Sequence, residues 1–182
     1  MTVDAGGHAA GVVIQWLVGK ARRTPPVIDP LTNAKVARYP RSTRAVAWIL
    51  FGLCSAGAVV LTYKVPLEMR LATGIWTGVM ALAMGAMLLD FGRVSLSWTE
   101  SQVVFSSPWR GQRALRWEEF TGVKFSGTLG WFVFSSRDAV TIRPSMMLGG
   151  LTEFFAALKA YGRSSLHPEI DLALEQWASR AG

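Results

Sequence analysis

The sequence predicts a two-helix transmembrane hairpin joined to a cytoplasmic, mainly antiparallel β domain closed by a helix. Three observations predict it. Ala45–Tyr63 and Leu71–Leu89 are continuous apolar runs in which Cys54 and Tyr63 are the only ionisable side chains. From Arg93 onward the pattern breaks into short alternating segments. Beyond Pro144, the apolar residues Leu151, Phe154, Phe155 and Leu158 recur at helical spacing.

Each apolar run is 19 residues long, ~28 Å as a helix, which matches the hydrocarbon core of a bilayer. The connector Lys64–Arg70 is short, and Pro66 helps it turn. Three segments follow from this reading: an N-terminal arm over 1–44, the hairpin over 45–92, and a C-terminal domain over 93–182.

Charge orients the hairpin. Lys20, Arg22, Arg23, Lys35, Arg38, Arg41 and Arg44 precede the first span and face only Asp4 and Asp29. The connector holds two basic residues and Glu68. By the positive-inside rule the arm is cytoplasmic, the connector is outside, and the chain beyond Arg93 returns to the cytoplasm. The expectation is a multi-pass bacterial inner-membrane protein with both termini cytoplasmic. A net charge of +7 fits contact with anionic headgroups. Nucleic-acid binding is not expected, because the arginines are dispersed and the aromatic residues alternate as core positions.

The N-terminus lacks the basic n-region of a secretory signal, with Asp4 in its place. The apolar run Ala9–Gly19 is too short to span. It reads either as an interfacial helix with Val13, Trp16 and Leu17 towards the acyl chains, or as a loosely docked terminus. Residues 24–43 hold four prolines without a helical period and read as an extended connector.

Small residues form candidate packing faces on the spans. Gly74, Gly78, Ala81 and Gly85 share one helical face, and Gly52 and Ala56 repeat the spacing in the first span. Such faces allow close backbone approach in lipid. They serve either the packing of the two spans on each other or a neighbouring subunit.

In the C-terminal domain, Val94, Leu96 and Trp98 alternate with Ser95, Ser97 and Thr99, which is a half-buried strand. Further strands are expected at Val103–Ser107, Arg113–Trp117, Val123–Phe125, Trp131–Ser135 and Ala139–Arg143, making an antiparallel barrel or curved sheet. Gly162 stops the Leu151–Leu158 helix. A final helix begins at Pro168 with Ile170, Leu174 and Trp177 as its apolar stripe.

The phrases Leu96–Glu100, Ser107–Arg110, Leu115–Phe120 and Leu129–Phe134, with the Leu151–Leu158 helix, carry a family likeness. Residues 93–163 resemble the bacterial pleckstrin-homology-like domains found beside transmembrane hairpins. The sequence departs from the eukaryotic pattern in showing six clear strands where that fold has seven. Eukaryotic members often bind inositol phosphates through basic residues in the first hairpin turn. The turn that reads as first here, Thr99–Gln102, has Glu100 and no base. The basic residues gather instead at Arg110, Arg113 and Arg116, beside Trp109, as a candidate contact with the lipid surface.

No nucleotide-binding loop, HExxH or GxSxG motif is present, and the single cysteine excludes an intrachain disulfide and a Cys-based zinc site. His8 lies in the arm, and His167 precedes the helix-starting Pro168. Glu118 and Glu119, read as extended, point to opposite faces and make no acid–base pair. Asp90 sits at the end of the second span within reach of Arg93, as a snorkelling interface residue. The sequence therefore points to a non-enzymatic protein without cofactor. Its expected partners are the lipid bilayer and another protein or a second copy of itself. The alternative is an accessory or assembly subunit of a larger inner-membrane complex, docked through the hairpin.

Overall fold

A computed structural model describes residues 5–127, 130–138 and 140–181. Asp4, Leu129 and Ala139, and the side chain of His8, which the sequence reading invokes, lie outside the described set. The chain divides into two units: Arg41–Arg93, and a second unit built from residues up to Pro40 together with those from Val94 onward.

The first unit is a helical hairpin. Helix α2 (Arg41–Lys64) and helix α3 (Arg70–Arg93) are each 24 residues long and apolar enough to cross a membrane. Between them Pro66 leads into a single 3-10 turn, Leu67–Met69. Arg70 closes the end of α2: its Nε donates to the Val65 carbonyl at 3.2 Å, and Nη2 reaches the Tyr63 carbonyl at 3.5 Å. A cation on the last carbonyls of a helix also suits the helix dipole.

The second unit contains two antiparallel sheets and three helices. Helix α1 (Ala5–Arg23) precedes strands β1 (Val27–Ile28) and β2 (Lys35–Arg38). After the hairpin come β3 (Ser95–Trp98), β4 (Gln102–Ser107), β5 (Gly111–Arg116), β6 (Phe120–Ser126), β7 (Trp131–Ser136) and β8 (Thr141–Ile142). Helices α4 (Leu151–Tyr161) and α5 (His167–Ala181) end the chain. The sheet orders are β1-β2-β3-β4-β5 and β6-β7-β8, and neither sheet closes on itself.

Residues 24–43 therefore do more than connect. Within them β2 pairs with β3, placing Lys35 opposite Trp98 and Arg38 opposite Ser95. The helical hairpin is thus inserted between two neighbouring strands, and the turn at Thr99–Ser101 belongs to the second hairpin of the sheet. The β1–β2 turn is held by Asp29, whose carboxylate accepts from the Leu31 amide at 3.0 Å and the Thr32 hydroxyl at 2.9 Å. Those bonds, led by the Leu31 amide, hold the Asp29 carboxyl below the ordinary carboxylate range.

The core forms where α4 meets both sheets. Leu151, Phe154, Phe155 and Leu158 are all buried. The Phe154 ring meets Trp98 and Phe134 edge-on, both at 5.4 Å, and lies 5.7 Å from Trp117. Gly150 enters α4 at φ 89, a left-handed conformation in which a Cβ would also stand 3.0 Å from Pro26.

Helix α5 packs on β6 and α1 through Ile170, Ala173 and Trp177, while Leu174 is only half-buried. The Trp177 ring stands edge-on to Phe132 at 5.3 Å and takes the Arg22 guanidinium at 5.1 Å. The first turn of α5 also reaches the sheet, where the Val123 amide donates to Glu169 Oε2 at 2.7 Å beside a bulge between Phe120 and Gly122. In α1, Leu17, Val18 and Ala21 are buried, so Leu17 belongs to this core and does not face lipid. Val13 and Trp16 remain exposed.

Candidate functional site

The register of the five-stranded sheet gives it two distinct ends. Arg38, Ser95, Ser106 and Gln112 form one row across β2, β3, β4 and β5. At this end the chain departs towards α2 through Tyr39 and Pro40, and returns through Val94. The β4–β5 turn, Pro108–Arg110, projects from the same end. Lys35, Trp98, Val103 and Leu115 form the opposite row, beside the Thr99–Ser101 turn.

The candidate residues Trp109, Arg110, Arg113 and Arg116 are therefore not one patch. Trp109 and Arg110 occupy the β4–β5 turn, and Trp109 is 59% exposed, so it is not tucked into the sheet. The turn is held by Ser107, whose Oγ accepts from the Trp109 amide at 3.4 Å, and by Gly111 at φ 68. Arg113 pairs with Phe105 and shares its face near the rim, where it is exposed. Arg116 pairs with Gln102 at the far end of β5, ~20 Å along the strand from Arg110.

The two ends also differ in charge. Arg38, Arg110 and Arg113 are exposed at the first end, where Arg38 lies in the field of the Asp29 carboxylate, and Lys35 is exposed at the other. At the opposite end stand Glu100 and Glu118, lining a shallow depression with Gln102, Arg116, Trp117 and Tyr161. The buried Trp117 indole donates to the Thr99 carbonyl at 3.0 Å and anchors that turn. Glu118 and Glu119 lie in a 3-10 turn and not in an extended segment. The Glu119 carboxylate accepts the Arg116 amide at 3.0 Å, which commits it to capping this turn.

The other singled-out groups are dispersed. His167 Nε2 lies 3.1 Å from the Lys159 carbonyl, at the junction of α4 and α5. Among the described residues no group of three or more His, Cys, Asp or Glu is placed to hold a metal. Cys54 is free and exposed on α2.

On the hairpin, α2 and α3 pack along Phe51, Ser55, Ala58 and Thr62 from one side and Thr73, Thr77, Ala81 and Gly85 from the other, all half-buried. Gly52, Ala56, Gly74 and Gly78 are exposed instead, and a Cβ built on any of these glycines meets nothing within 4 Å. Most of the small-residue faces are open, with only Ala81 and Gly85 at the helix–helix seam. The missed signal was the polar Ser/Thr spacing of Ser55, Thr62, Thr73 and Thr77, which marks the seam. No protein-family model, curated protein or solved structure matches this chain.

Proposed function

We propose that this protein is a membrane-anchored, non-enzymatic interaction module that presents a pleckstrin-homology-like domain at the cytoplasmic face of a bacterial inner membrane. One observation carries the reading: the apolar hairpin is inserted between hydrogen-bonded neighbours, β2 and β3. Two strands of one ladder lie on one side of any membrane, so an even number of crossings must separate them. This argument is independent of the positive-inside rule and agrees with it that both flanks of the hairpin share one side; the choice of the cytoplasmic side rests on the charge pattern alone. The strand order is compatible with the family likeness: of the eight strands, the two-residue β1 stands apart, and β2–β8 make seven in sheets of four and three before α4. The partner surface in this reading is β5, an edge strand whose outer backbone groups have no neighbouring strand in the sheet.

The test uses the full chain in native membranes with a photocrosslinking residue at Ala114 on β5. A discrete adduct, either at the mass of two copies or with one other protein, is the expected result. Absence of any adduct at Ala114 and at neighbouring Gln112 overturns the edge-strand reading.

The open faces at Gly52, Ala56, Gly74 and Gly78 favour a second reading, an accessory or assembly subunit docked through its helices. Crosslinks from Ala56 with none from Ala114 would select it.

A further inference from the structure

We infer that the outward face of α1, formed by Val12, Val13, Trp16, Lys20 and Arg23, docks obliquely into an anionic phospholipid interface, with the valines deepest and the two cations on phosphates. The inference goes beyond the proposed reading and uses the second unit alone.

Helix α1 has two faces with different fates. At about 100° per residue, Leu17, Val18 and Ala21 fall on one side, and all three are buried. Val12, Trp16, Lys20 and Arg23 fall on the other, with Val13 at its edge. Val12 is 64% exposed and Trp16 51%, so much of this side is uncovered. The helix is nevertheless pinned in place. The Arg22 guanidinium lies over the Trp177 ring, and the Arg22 carbonyl accepts from the Thr152 hydroxyl at 3.4 Å. A fixed helix that holds two valines and a tryptophan out from its own core has an apolar surface for a second contact.

Charge selects the occupant. Trp16, Gly19, Lys20, Arg23 and Thr24 line a shallow groove on this side, and no carboxylate is among them. Lys20 Nζ lies 5.0 Å from the Trp16 ring centroid, so the cation and the indole share one surface. Helix α1 itself carries no acidic residue. On α5, which packs against it, Glu169 is committed to the Val123 amide and Asp171 to Lys159, and Glu175 is exposed on the side away from Ile170 and Trp177. Glu153 follows Thr152 on α4 and, among the described residues, forms an ion pair with neither Lys20 nor Arg23.

Along the helix axis the stripe passes from aliphatic to indole to cation, the order of environments from acyl chains to phosphates in a bilayer. Val12 to Arg23 spans ~16 Å as a helix, so a modest tilt carries it through a headgroup layer ~5–7 Å deep. A protein groove would instead take apolar anchors along the whole stripe.

The experiment reconstitutes the full chain in vesicles of phosphatidylcholine with or without phosphatidylglycerol, containing lipid spin-labelled near the headgroup as quencher. An environment-sensitive fluorophore is attached to Gln15→Cys or Leu172→Cys in a Cys54→Ser background. Both positions are exposed, and Gln15 lies beside the stripe, so its five residues stay intact.

The expected result is stronger quenching at position 15 than at position 172, greatest with phosphatidylglycerol. Lys20→Gln and Arg23→Gln should each lower the docked-to-undocked ratio about fivefold, while Arg23→Lys, which keeps the charge, should match the parent. Trp16→Ala should weaken quenching with both lipid compositions. Lys124→Gln, a charge change on β6, should leave it unaltered. Equal quenching at 15 and 172, or equal effects of Lys124→Gln and Lys20→Gln, overturns the inference. A photocrosslink from position 15 to a protein, without quenching by lipid, also overturns it and assigns the face to a protein partner.

Discussion

Arg38 and Ser95 are register partners in one antiparallel ladder, although both long apolar helices lie between them in the chain. Cα atoms paired in this way stand ~4.5–5.5 Å apart, a gap that a short turn closes. The hairpin is therefore a removable insertion as far as the β domain is concerned. Replacing residues 41–93 with a short Gly-rich turn should yield a folded, detergent-free protein with a cooperative thermal transition. A fragment beginning at Val94 should not, because it lacks β2 and the α1 face that covers Trp177. Circular dichroism and near-UV spectra of the two would separate them; equal stability would show that β2 contributes nothing.

Phe154 is the hub of the aromatic core, in ring contact with Trp98, Trp117 and Phe134 and joining α4 to both sheets. Phe154→Ala should destabilise the domain by about 3–5 kcal/mol, from lost burial and the cavity left behind. Phe154→Leu should cost clearly less. Denaturant titration followed by tryptophan fluorescence reads both, and a loss below about 1 kcal/mol for the alanine variant would contradict this core assignment.

Asp29 gives the β1–β2 turn a pH dependence. The Leu31 amide and Thr32 hydroxyl bond the ionised carboxylate, so its pKa in the folded state lies below that in the unfolded chain. The stabilisation is complete above the ordinary carboxylate pKa and is lost as pH falls through the depressed folded value. Asp29→Asn should therefore lower the Tm at neutral pH and converge with the parent protein in acid. A difference that persists unchanged at low pH would show that the charge is not involved.

Strands β3, β4 and β7 were legible because one face of each is buried, so alternation survives in the sequence, whereas β5 buries only Leu115 and was legible from its flanking turns. The α4 face was legible for the same reason at helical period. Strand β2 was not, because Val36 and Ala37 are adjacent and both buried, which erases the period of two in a four-residue strand. Its partner also lies beyond the hairpin, out of range of any local pattern. Missing β2 made Thr99–Ser101 look like the first turn and hid the two-ended character of the sheet. The basic cluster read as one patch for a related reason: Arg110, Arg113 and Arg116 are near in sequence, but extended backbone carries them from one end of β5 to the other. Leu17 looked lipid-facing because α1 packs on α5, which comes last in the chain.

Splitting a ladder around a hairpin also orders events during synthesis. Residues 35–38 leave the ribosome well before Ser95 exists, so β2 waits unpaired while both helices are made and placed. Only when α3 has brought the polypeptide back can the strands zip together. Under the proposed spanning reading, a chain whose second helix failed to cross would leave β3 on the far side of the lipid from β2, and the ladder between them could not form.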